Sequence, residues 1–236
     1  MTNRTAEISP AFWARVAGFL YLILFVCGPF SMLYVPSTLI VPGDATATAA
    51  NIVSTQWLFR LGIVGYAVIF LTDIGLSAIF YVLLRPVSPT LSLIAAFSRL
   101  AQAIFHGVNL MYSFTALLLL SGAGYLTVFE PGQMQALAYV FLTGHESGVL
   151  ISQVFFGFHC LVLGYLLYRS SYFPSLLGVL MVLASLGYLI QSLGTFLLPQ
   201  YAEVLAVVVV APAVIGEMSL TVWLLVKGVR VSPEPA

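Results

Sequence analysis

Four ionisable side chains sit in four different apolar stretches of this sequence: Asp73, Arg99, His159 and Glu217. Two carboxyls, a guanidinium and an imidazole can hold a cation or pass a proton. With a metal-bound water they can also hydrolyse a bond. Charge inside a hydrocarbon layer is costly, so each of these residues needs a partner or a function. Counted from one end of its stretch at 1.5 Å per residue, each lies about 15–18 Å in. The four are therefore expected at one level. Asp73 and Arg99 are placed symmetrically about the turn at Pro86, which predicts an Asp73–Arg99 ion pair. One acid is then left over: either Glu217 holds a proton or something positive visits it.

A second polar layer is expected closer to the other end of the same stretches: His106, Gln153 and Gln191, with Asn109, His145 and Glu146 above it. Together the layers predict a polar path, with Asp73, Arg99, His106, His159 and Glu217 as its binding residues. The plainer alternative is that such pairs and amides only hold helices together, at about 0.6 kcal/mol each on average. That alternative applies first to Gln191 and Asn109.

The residue types of a metal-dependent hydrolase are present, but their spacing is not. There is no HExxH, and the estimated depths of His106 and His159 differ by about 12 Å, too far for one ion. The same mismatch disfavours a haem between the third and fourth stretches. The single lysine, Lys227, sits at a stretch end, where it does not suit a retinal. No GxSxG or P-loop occurs, and Cys27 and Cys160 form no disulfide framework or CxxC motif. No metal and no cofactor is assigned.

Helices in a bilayer must position these residues. Of 236 residues 61% are hydrophobic and only 7% charged, against about 25% charged in soluble domains. So little charge cannot cover a watery surface. The length suits one bundle, and a zero net charge with no basic run argues against a nucleic-acid partner. Spanning takes about 20 apolar residues, and six stretches qualify: about 12–35, 58–84, 90–120, 146–169, 173–198 and 203–227. The first is too long for a signal-peptide core, so it is expected to stay as a helix.

Short links at Arg85–Pro89, Arg169–Pro174 and Leu198–Gln200 predict hairpins. Two connections are longer. Residues 36–57 suggest a short helix capped by Asp44 outside the bilayer. Residues 121–145 suggest an interfacial helix that leads into the fourth span at Gly144. Arg4, Arg15, Arg85, Arg169, Lys227 and Arg230 fall on one side of a six-span arrangement, which predicts cytoplasmic termini. Asp44, Glu130 and Glu203 fall on the other side, with Arg60 near them. A seventh span over 131–144 would split this charge set.

Periodicity refines the picture. At 100° per residue, Ser92, Arg99, Gln102, His106, Asn109 and Ser113 occupy about a third of one helix's circumference, a stripe that cannot face lipid. The third helix is therefore expected to be central or to line a cavity. Weaker stripes run through Gly62, Tyr66, Asp73 and Ser77, through His145, Ser152 and His159, and through Ala184, Gly187, Tyr188, Gln191 and Thr195. Pro212 lies within one turn and a half of Glu217. No paired, broken repeats of the transporter kind are seen.

Several blocks carry a resemblance: ARVAGFLYLILFVCG at 14–28, VPGDATATAANI at 41–52, FYVLLRPV at 80–87, FFGFHCLVLGYLLYRSSYFPSLLGVLMVLASLGYLI at 155–190 and WLLVKGV at 223–229. They resemble a bacterial membrane family described only as domain of unknown function 4386. The resemblance implies a multi-pass inner-membrane protein and brings no catalytic residues. Two of its blocks contain Asp44 and His159. The outer block is either a capped helix that shields the bundle or a lid over the polar path.

The expectation is thus an all-α, polytopic bundle of six transmembrane helices with the lipid bilayer as its partner. It would bind or transport a small solute, ion or proton. The alternatives are a membrane-embedded enzyme acting on a lipid or other apolar substrate, and a structural or assembly protein.

Overall fold

Apolar length decides the architecture. The computed structural model describes residues 9–229 and places them in helices, with no strand among the described residues. The helices are α1 (Pro10–Gly28), α2 (Val35–Leu39), α3 (Ala45–Ser54), α4 (Gln56–Leu84), α5 (Pro89–Leu119), α6 (Pro131–Arg169), α7 (Ser175–Leu197) and α8 (Ala202–Val226). Six segments are long and apolar enough to cross a membrane: Pro10–Leu39, Gln56–Leu84, Pro89–Leu119, Pro131–Arg169, Ser175–Leu197 and Pro199–Val226. Proline opens α1, α5 and α6, where its missing N–H costs nothing and its fixed φ already suits the helix. Arg4 and Arg230, part of the expected basic side, lie outside the described residues.

Two segments differ from the sequence-based expectation. The first span does not stop near residue 35. It widens into a π-helical turn over Pro29–Tyr34 and continues as α2. Pro29 supplies the reason, because its ring and missing N–H do not fit the regular ladder. The fourth span has no separate interfacial helix before it, and no seventh span arises among the described residues. Residues 131–169 form one helix of 39 residues, about 58 Å long where the hydrocarbon core needs about 30 Å. Gly144 does not interrupt it. A Cβ there would stand 2.7 Å from the Tyr112 ring, so this glycine serves close helix approach rather than a break.

The described chain gathers into two compact units. One comprises the residues up to Leu22, Thr72–Ala101 and those from Gln153 onward; the other comprises Ile23–Leu71 and Gln102–Ser152. The first unit is sewn together by glycines. Cβ atoms at Gly164 and Gly178 would each stand within 2.8 Å of the other's carbonyl oxygen, and one at Gly216 would stand 2.9 Å from that of Leu180. Lipid gives helices no hydrophobic reason to associate, so close backbone contact of this kind holds them together.

The second unit has an apolar cluster that includes Leu39, Ile52, Phe59, Ile63, Leu110 and Leu142. Asp44 caps α3, its Oδ1 accepting from the Ala47 N–H at 2.8 Å, as its position predicted. Just before it, Gly43 takes a φ of +76° that side chains disfavour. Its N–H donates to the Tyr139 hydroxyl, and the Thr46 hydroxyl donates to Gln135 Oε1. Those two bonds tie the α3 block to the first turns of α6.

Candidate functional site

The α5 stripe is buried as its periodicity requires. Ser92, Arg99, Gln102, His106, Asn109 and Ser113 are each at most 7% exposed. Its charge lies in the first unit. Arg99 is fully buried, and its Nε and Nη2 both donate to Asp73 Oδ1, at 3.0 and 2.7 Å. The ion pair expected across the Pro86 turn is therefore present. Arg99 Nη1 reaches two more groups, the Tyr21 hydroxyl at 3.2 Å and His159 Nε2 at 3.2 Å.

The histidine's tautomer follows from its neighbours. His159 Nδ1 lies 2.8 Å from the Ala95 carbonyl, which only accepts, so Nδ1 carries the hydrogen. Arg99 only donates, so Nε2 is the lone pair that receives it. His159 is thus a neutral ring fixed at both nitrogens. Aromatic rings continue the cluster. The guanidinium carbon stands 5.3 Å from the Tyr21 and Phe156 ring centroids. Phe156 stacks on His159 and meets Tyr188 edge-on at 4.9 Å. The Tyr188 hydroxyl donates to Glu217 Oε1 at 2.5 Å.

Glu217 is half-buried, and no Lys, Arg or His among the described residues is within ion-pair distance of it. The fully buried Arg99 is already committed to Asp73. Thr221 binds the Glu217 backbone carbonyl and leaves the carboxyl alone.

The second unit holds a different cluster. Ser152 Oγ lies 2.8 Å from His106 Nε2 and 2.7 Å from the Val149 carbonyl. Its single hydrogen satisfies both contacts only if it goes to the carbonyl and the histidine donates from Nε2. His106 Nδ1 is then a buried lone pair with no partner. Asn109 Nδ2 donates to the His145 carbonyl at 2.9 Å, which fixes the amide and leaves its Oδ1 unpartnered too. Gln102 Oε1 shares that condition. Tyr66 presents its ring to both His106 and His145, at 6.1 and 5.0 Å between centroids.

Of the five expected binding residues, the structure joins Asp73, Arg99 and His159 directly. It brings Glu217 to them through Phe156 and Tyr188, and it gives His106 to the Ser152 contact. Of the remaining polar residues, Asn109 meets His145, Gln153 accepts from Ser192 at 3.3 Å, Gln191 Oε1 has no partner and Glu146 is exposed. Among the described residues no three His, Cys, Asp or Glu are grouped so as to hold a metal ion. Sequence reasoning missed Tyr21 and Phe156. The depth count that aligned the charges would also have found Tyr21, about 14 Å into the first stretch. Nothing in the sequence marks Phe156.

Six helices able to cross a bilayer, with a buried ion pair and a mid-span carboxyl, define a multi-pass membrane protein. The chain belongs to the family described as Domain of unknown function (DUF4386), whose model matches residues 16–228. It is similar to an uncharacterized protein of Archaeoglobus fulgidus, 29% identical over 172 residues, which cover 72% of this chain and 85% of the relative. No solved structure matches the chain at a significant level.

Proposed function

We propose that this protein binds, and carries across the inner membrane, a small cation or a proton, with Glu217 as the group that takes the charge. The observation that supports this reading is the partner set of Glu217. Its carboxyl sits in a membrane span and accepts a hydrogen bond from a neutral hydroxyl, that of Tyr188. An ionised carboxylate there is expensive without a cation. Arg99 does not supply one, because Asp73 has already neutralised it. The charge must come from outside the protein. Asp73, Arg99 and His159 then act as the scaffold that positions Phe156 and Tyr188 behind the carboxyl. The basic residues Arg15, Arg85, Arg169 and Lys227 face the cytoplasm, as do both termini.

The test is labelling of the reconstituted protein with a membrane-permeant carbodiimide, read residue by residue by mass spectrometry. Glu217 is expected to be modified, and Tyr188→Phe should change the rate of that modification. Protection by sodium, potassium or ammonium would name the cation. Labelling without protection, together with acidification of proteoliposomes that Glu217→Gln abolishes, would name the proton. An unlabelled Glu217 and no flux would sink the proposal. A second reading, a structural or assembly protein, is favoured by the complete pairing around Arg99, and it predicts that last result.

A further inference from the structure

We infer that the protein holds an anionic phospholipid, with one acyl chain in a groove between α6 and α7 and the phosphate at Arg85 and Arg169. The groove measures about 440 Å³ and lies wholly within the first unit. Leu91, Leu161, Tyr165, Tyr168, Val179 and Leu183 wall it, and Gly164 and Gly178 form its floor. The floor is low because those two glycines meet backbone to backbone, leaving no side chain to fill the space. The lining is carried by three segments able to cross a membrane. The medium that meets an apolar groove there is acyl chain.

The charge at one end of the groove selects the lipid. His159 contacts Ala95 and Ser152 contacts His106, so α6 runs antiparallel to α5, and the end of α6 at Arg169 lies at the same end as the α4–α5 turn that carries Arg85. Both arginines are exposed, and neither makes an ion pair with a described residue. Arg169 directly follows the groove residue Tyr168, and Arg85 lies six residues before the groove residue Leu91, across the α4–α5 turn, so both arginines belong to the same end of the groove. The first turn of α7 begins at the same end without a side-chain cap, and although the Leu177 N–H turns back to the Pro174 carbonyl, the positive end of the helix favours an anion as well. In this unit the described acids are elsewhere: Asp73 is paired, Glu217 is mid-span and Glu203 opens α8 at the opposite end. A basic rim over an apolar slot is the chemistry that distinguishes an anionic phospholipid from a zwitterionic one.

The experiment is native mass spectrometry of the full chain titrated with phosphatidylglycerol or with phosphatidylcholine of the same acyl chains. Phosphatidylglycerol should bind more tightly. Each arginine removed should cost about fivefold in its affinity, so that Arg85→Gln/Arg169→Gln brings it close to phosphatidylcholine. Val179→Trp, which fills the slot and leaves the rim intact, should weaken both lipids. All three changes lie on exposed positions, and a thermal-unfolding trace confirms that each variant is folded. Equal affinity for the two lipids in the unaltered protein, or unchanged phosphatidylglycerol affinity in either variant, overturns the proposal.

Discussion

The two clusters that α5 helps to build treat their polar atoms in opposite ways. Around Arg99 the donors and acceptors meet: Asp73 Oδ1 takes two N–H groups, and His159 is bonded at both nitrogens. Around His106 one nitrogen is bonded and the other is not, while Asn109 Oδ1 and Gln102 Oε1 are buried without partners. The contrast follows from charge. A guanidinium left unpaired in a low dielectric costs several kcal/mol, whereas a neutral lone pair without a partner costs about 1–3 kcal/mol. A cluster with an ion therefore has to be closed, and a neutral one can stay open. Closed clusters lock helices, and open ones leave lone pairs for something that donates.

The largest effect should come from opening the closed cluster. Asp73→Asn and Arg99→Gln should each destabilise the protein by about 3–5 kcal/mol, because each leaves one buried charge. The double change should cost less than the sum, measured by unfolding in mixed micelles. Simple additivity would mean that the pair seen here does not couple, and the comparison would fail.

Next comes crowding of the open cluster. A methyl at Gly148 would overlap Asn109 Oδ1 and stand 2.5 Å from its Cγ, while the His145 carbonyl holds that amide in place. Gly148→Ala should cost about 1–3 kcal/mol. Gly107→Ala, whose methyl would stand 3.9 Å from the Phe70 ring carbons, is the control and should be close to neutral. Equal losses would show that the Asn109 amide is free to turn away.

The finest test sets the two histidines against each other in the same unfolding assay. His159→Leu removes an acceptor from Arg99 and a donor from Ala95, so it should cost about 1–3 kcal/mol. His106→Leu removes one bond and also one unpartnered nitrogen, and Ser152 keeps its bond to Val149. Its cost should stay within about 1 kcal/mol. A larger loss for His106 than for His159 would reverse the assignment of closed and open clusters.

Much of this was legible before any coordinates. Six apolar lengths, the Asp44 cap and the α5 stripe are local properties, set by hydropathy and by the 3.6-residue repeat. The Asp73–Arg99 pair was legible too, because a tight turn makes two neighbouring helices mirror one another in depth. Pro29 is equally visible in the sequence, but the π-helical turn that begins at it shows only in the structure. At Gly144 the residue type misled, since a glycine reads as a break unless the Tyr112 ring across from it is known.

The sequence by itself therefore determined how many segments are long and apolar enough to cross a membrane and that Asp73 and Arg99 stand level with one another. Depth is additive along a helix, so counting residues is enough. Only the tertiary structure decided the lateral partners: Tyr21 on Arg99, Phe156 between the charges, Tyr188 on Glu217 and Ser152 on His106. Those depend on how each helix is rotated and which helix stands beside it. Periodicity within one segment carries no information about its neighbour, so that choice is made by packing alone.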